Sequence, residues 1–183
     1  MKSAVLIPIV LALGACLLNA QAPAGNPLVT EAKQAYAAAK TNLTRMAEKM
    51  PPENYDFKPV PEIRSFGETI AHISDSQMSA CSTVRGQRKT GDAASKKTKD
   101  DLVAALNASF AECDAAWETI TDANAAEIPQ GSRRSRLGSL IYNTTHENEE
   151  YGYMAVYMRL KGVVPPSSDR GAMPAGRGAM PGR

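Results

Sequence analysis

The chain has almost no surplus of either charge. Its 21 Lys and Arg stand against 19 Asp and Glu, and a net charge of +2 gives no electrostatic footprint for nucleic acid, which would need a clustered basic face. The basic groups Arg85, Arg88, Lys89 and Lys96, Lys97, Lys99 flank a loop-like stretch and read as solvated surface. No segment alternates polar and apolar residues long enough to make a strand, which excludes a sheet-based fold. No serine, cysteine or lysine carries a motif that marks an activated nucleophile. Histidine is scarce, with only His72 and His146 in 183 residues. That length suits one hydrophobic core and is short for two.

The one long apolar run lies at the start. Lys2 precedes apolar residues from Ala4 to Leu18, and the small residue Ala20 follows, the anatomy of a secretory signal over residues 1–20. The expected product is exported, periplasmic or secreted. Leu13-Gly14-Ala15-Cys16 also has the form of a lipoprotein box, which would make Cys16 a lipidated first residue. A permanent span is disfavoured because Pro8 and Gly14 interrupt a run at the short limit for crossing a bilayer. Cys81 and Cys113 remain in either mature product, and in an oxidising compartment they are a disulfide candidate. The alternative is two buried thiols.

What is present beyond residue 27 has helical periodicity. After a Pro/Gly/Ala linker over 21–27, Leu28, Ala32, Ala35, Tyr36, Ala39, Leu43 and Met46 make an amphipathic stripe, and the spacing predicts a helix to Lys49, ended by Pro51 and Pro52. Residues 53–64 should form an extended connection that turns Tyr55 and Phe57 inward. Ser65-Phe66-Gly67-Glu68 is a capping box, and the helix it opens should stop before Gly86. Residues 86–97, rich in Gly, Lys and Ser, read as a mobile loop.

Thr98 with Asp100 and Asp101 opens a third helix to about Ile120. A loop containing Pro129 and Gly131 leads to Ser135, the cap of a fourth helix that ends at Lys161 and Gly162. Its apolar positions are Leu137, Leu140, Ile141, Thr144, Thr145, Tyr151, Met154, Ala155, Met158 and Leu160. Four such helices make an all-α four-helix bundle over 28–164. In the remaining residues, 165–183, Arg-Gly-Ala-Met-Pro occurs twice, a low-complexity tail expected to be disordered.

The fourth helix carries the densest chemistry. Four residues advance a helix by about 400°, so His146 and Glu150 leave one face. If the second and fourth helices run parallel, His72 and His146 lie at depths that differ by about 6 Å, a gap that side chains span. His72, His146 and Glu150 would then form a two-histidine, one-carboxylate metal set suited to catalytic zinc or non-haem iron, with Asp75 or Glu149 orienting a histidine. The alternative is a surface helix pair of His146 and Glu150, worth a few tenths of a kcal/mol. Tyr142, Tyr151, Tyr153 and Tyr157 read as packing and rim residues.

Several of these stretches together resemble one family. Arg64-Ser65-Phe66-Gly67-Glu68 running into Ala71-His72-Ile73-Ser74-Asp75 is similar to the second helix of the DinB superfamily, the DinB/YfiT-like proteins. His146 to Glu149, Tyr151 and Gly152, then Leu160-Lys161-Gly162-Val163-Val164-Pro165-Pro166, are similar to its last helix and exit. The resemblance covers residues 28–166. It implies a four-helix bundle holding a divalent metal (zinc, nickel, iron or manganese) on three histidines, one on the second helix and two spaced by four on the last. His72 and His146 match the first two, and the third position holds Glu150, so the metal is either retained with changed affinity or lost.

The implied activities are metal-dependent, of the thiol-transferase and isomerase kinds, and an exported address turns the expectation toward metal-assisted hydrolysis. The opposing expectation is a non-catalytic binding or stress-associated bundle with a degenerate site. Expected partners are a small-molecule substrate of unread identity and, as one option, a second copy in a homodimer. Nucleic acid is not expected, nor a membrane unless Cys16 is lipidated.

Overall fold

A computed structural model describes residues 27–169, and the leader, the repeated tail motif and Cys16 lie outside the described residues. Four helices account for most of that span: α1 (Pro27–Lys49), α2 (Phe66–Val84), α3 (Lys99–Glu118) and α4 (Arg136–Leu160). No strand occurs among the described residues, and none of the helices there is long and apolar enough to cross a membrane.

Helices α2, α3 and α4 each begin where a side chain can replace a missing backbone partner. The Ser65 hydroxyl accepts from the Glu68 amide while the Glu68 carboxylate accepts from the Ser65 amide, the reciprocal pair expected of the capping box. Thr98 accepts from Asp101 N–H to open α3, and Ser135 accepts from Gly138 N–H to open α4. The exits are set by Gly86 and Gly162, both at positive φ, which lets the backbone turn away without a Cβ clash.

The helices form a ring in the order α1, α3, α2, α4, and their directions follow from cross-links along their lengths. Lys33 pairs with Glu118, and Lys99 donates to the Met50 carbonyl, so α1 and α3 are antiparallel. Gln77 bonds Ser109, and Cys81 is joined to Cys113 in a disulfide, so α2 and α3 run parallel. Tyr157 reaches the Arg64 carbonyl at the start of α2 while His146 meets His72, so α2 and α4 are antiparallel. Parallel α2 and α4, the premise of the depth argument, is therefore incorrect; the histidines meet because α4 passes α2 in the opposite sense.

Two parallel neighbours need a connection that retraces the helix, and residues 85–98 supply it. Gln87 and Lys89 are tied to Ser82, then Ala93 and Ala94 donate to the two carboxylate oxygens of Asp75, about two helical turns back along α2. Ala93 is buried in a single 3₁₀ turn, Ala93–Ser95. The stretch expected to be mobile is thus a bonded strap. Gly91 touches Asp75 so closely that a Cβ would collide with the carboxylate and its backbone.

The core is aliphatic and sulfur-rich with a few rings: Leu43, Met46, Met50, Ile70, Ile73, Leu106, Phe110, Trp117, Met154 and Met158 are almost wholly buried. Each such side chain contributes roughly 1.5–3 kcal/mol by leaving water. Residues 53–64 are not extended as expected; a 3₁₀ turn (Pro52–Asn54) leads into turns that put Tyr55 under α2, its hydroxyl donating to the Ala47 carbonyl at 2.6 Å. Phe57 is half-buried, edge-on to Tyr157. Beyond α4 the chain docks before the tail motif: Pro165 and Pro166 are buried, and the Ser167 backbone donates to the Tyr151 hydroxyl.

Candidate metal centre

The rigid start of α2 places His72 less than two turns from the capping box. On α4, His146 and Glu150 lie one turn apart on the side that faces it. The three side chains meet. His72 Nε2 lies 3.0 Å from His146 Nε2 and 3.6 Å from Glu150 Oε1, while His146 Nε2 lies 3.5 Å from the same oxygen. A triangle with these sides has a circumscribed circle of about 2.0 Å radius, the bond length of zinc to imidazole nitrogen or carboxylate oxygen. Two imidazole nitrogens this close cannot both present bare lone pairs; a proton or a cation must lie between them. The donor set therefore fits one divalent ion.

Burial divides the set. Glu150 is buried, with 8% of its surface exposed, so the surface helix pair is not what the fold contains. Both histidines keep about a quarter of their side chains in solvent, leaving an approach from outside. Burial, with the Arg64 guanidinium nearby, holds the His72 imidazole below its ordinary range, against the opposing pull of Glu150. A neutral imidazole is the ligating form. His72 also forms part of the wall of a cavity of about 720 Å³ between the start of α2, residues 55–64 and the strap. Of the three converging residues it alone lines that cavity.

Two expected helpers are elsewhere. Asp75 is committed to Ala93 N–H and Ala94 N–H and does not orient His72 by a hydrogen bond. Glu149 is exposed and accepts from Tyr153. Tyr151 and Tyr157 are buried packing residues, whereas Tyr142 and Tyr153 face solvent.

Sequence reasoning missed Glu147. It is fully buried, one oxygen accepts from Asn143 at 2.6 Å, and the other has no partner. Burial pushes its pKa up to about 8, with the Asn143 bond pulling the other way. The signal was in the register of α4. The inward stripe is Leu140, Asn143, Glu147, Glu150, Tyr151, Met154 and Met158, whereas Ile141, Thr145 and Leu160, expected inside, are exposed. Counting threes and fours from Leu140 to Met154 passes through 143, 147 and 150, and only the polarity of those residues hid the stripe.

A helical bundle with histidine and carboxylate ligand atoms converging from two of its helices is the class of protein that this fold and site define. The family model of the DinB superfamily matches residues 35–154, and the chain belongs to that superfamily. Two solved structures share the fold. A DinB-like protein of Bacillus cereus aligns with a TM-score of 0.63 at 17% identity, over 75% of this chain and 95% of that one. A DinB-like protein of Bacillus subtilis aligns with a TM-score of 0.60 at 21% identity, over 79% and 99%. No curated protein matches the sequence.

Proposed function

We propose that this protein is an exported, metal-dependent member of its superfamily, with a divalent ion held by His72, His146 and Glu150, and that its reaction is a hydrolysis rather than a thiol transfer. The observation that carries the metal reading is the convergence of three ligand atoms at 3.0, 3.5 and 3.6 Å. A divalent ion there supplies Lewis acidity at a position open to solvent. The chain's own residues do the rest. His72, kept neutral by burial and Arg64, offers an uncharged nitrogen, and Glu150 brings one negative charge that a third imidazole would lack. A carboxylate moves the set toward harder ions such as manganese, and two histidines with one carboxylate also match non-haem iron and catalytic zinc.

Export is supported by the apolar leader and by the Cys81–Cys113 bridge, a feature of oxidising compartments. The same address favours hydrolysis, because small thiol cofactors are mainly cytosolic and water is always at hand.

Elemental analysis of the purified protein tests the site. About one divalent ion per chain is expected, lost in His146→Ala, and retained in Glu150→His, which keeps three ligands. The same metal content in a folded His146→Ala variant would place any ion elsewhere. A metal-free wild type after incubation with zinc, iron and manganese would leave the non-catalytic bundle as the reading.

A further inference from the structure

The loops at the two ends of the bundle differ in charge. One end gathers the start of α1, the ends of α2 and α3 and the start of α4, as the Lys33–Glu118 pair and the Leu137 amide bond to Ala125 fix. The loops there, residues 85–91 and 127–136, carry Arg85, Arg88, Lys89, Arg133, Arg134 and Arg136 against a single acid, Glu127. Glu112 takes Arg85 and Lys89, and Glu127 lies 4.0 Å from Arg136. Arg88, Arg133 and Arg134 remain exposed. Arg88 donates to the Gln130 carbonyl, and Arg134 lies 3.7 Å from the centre of the Tyr142 ring. Asp122 lies in the same α3–α4 connection, and Glu31 and Glu118 are the acids on the flank of this end, Glu118 paired with Lys33. At the opposite end the connecting segments are balanced, with Lys58, Arg64, Lys96, Lys97 and Lys161 against Glu53, Asp56, Glu62, Asp92 and Asp169.

The basic end also exposes apolar side chains, as the opposite end does at Val60, Ile63, Leu160 and Val164; what sets it apart is that here they lie among unmatched arginines. Ile128 is 65%, Ile141 45% and Tyr142 55% exposed, and an aromatic ring with an arginine laid across it is an amphipathic unit suited to a headgroup boundary. The position of the leader adds an independent argument. Helix α1 starts at this end with Pro27, so the preceding chain, with its apolar run and Cys16, joins the bundle here. A leader kept in a bilayer is therefore attached to the bundle on its basic side.

We propose that the end bearing Arg88, Arg133, Arg134, Ile128 and Tyr142 docks on an anionic phospholipid surface. The arginines neutralise lipid phosphates while Ile128 and Tyr142 enter the headgroup layer. This face uses none of the metal-site residues and acts with or without the leader, which adds a tether where it is kept.

The test uses the full chain expressed with its own leader and purified as the cell processes it. Sedimentation with vesicles of phosphatidylglycerol and phosphatidylcholine, against phosphatidylcholine alone, should show binding that needs the anionic lipid and falls with salt. Combining Arg133→Ser with Arg134→Ser should weaken it on the order of tenfold or more. The control pair Lys58→Ser with Lys161→Ser, at the far end, should leave it unchanged. An equal loss in both pairs, or wild-type binding by the arginine pair, would overturn the proposal. So would binding of a short DNA duplex as tight as binding of the vesicles, which would make this a general polyanion surface.

Discussion

A carboxylic acid with one oxygen unpartnered inside a core is costly when ionised, and Glu147 is such a group. Its folded pKa of about 8 lies above its ordinary value of 4.5, so between those values the folded chain holds a proton that the unfolded chain has released. Stability is then fully present below about pH 4.5 and falls as pH rises toward 8, by roughly 1.4 kcal/mol per pH unit. Glu147→Gln keeps the shape and a neutral head, so its stability should be flat across that window and exceed that of the wild type at pH 8. Denaturant midpoints at several pH values decide this, and parallel curves for the two proteins would show Glu147 to be ionised in the fold.

The three converging residues were legible because their cues were local or scarce: one pair a helical turn apart, and a single remaining histidine. Glu147 was hidden because a charged residue was not counted as a core position. Asp75 was misread for a different reason: its partners, Ala93 and Ala94, come from a loop whose path the sequence does not state.

At the scale of elements, the caps could be read and the directions could not. Ser65, Thr98, Ser135 and Gly162 act on neighbours within a few residues, so their patterns survive without tertiary information. Whether α2 runs with or against α3 depends on residues 85–98, which look like any polar loop until their bonds to Ser82 and Asp75 are seen. Asp75→Ala should therefore act at a distance in sequence. Removing two amide bonds to a carboxylate should cost about 2–3 kcal/mol and speed amide exchange at Ala93 and Ala94 more than in α1. Exchange that rises equally everywhere, or not at all, would count against the strap as an anchored element.

For the molecule as a whole, the bridge between Cys81 and Cys113 is the one covalent link between helices among the described residues. It closes a loop whose sequence separation is 32, for which chain-entropy reasoning gives about 3–4 kcal/mol of stabilisation. The Cys81→Ser, Cys113→Ser double variant should melt roughly 10 °C lower, while unreduced, unfolded wild type should show no free thiol at these positions. Two reactive thiols per chain would refute the bridge. The four-helix architecture was readable from periodicity and caps, whereas the ring order α1, α3, α2, α4 was not, because it is decided by long-range packing.

The bridge has a consequence for the order in which the protein is made. Both of its cysteines precede α4, while His146 and Glu150 belong to α4. A chain that emerges from a ribosome or a translocation pore N-terminus first can lock α2 to α3 while two of the three ligands have yet to appear. His72 waits alone on a stapled helix pair, and the completed trio arises only when the last helix threads into the gap. Assembly of the site is then the final event of the chain's birth, and a truncated or stalled product carries the staple but never the cage.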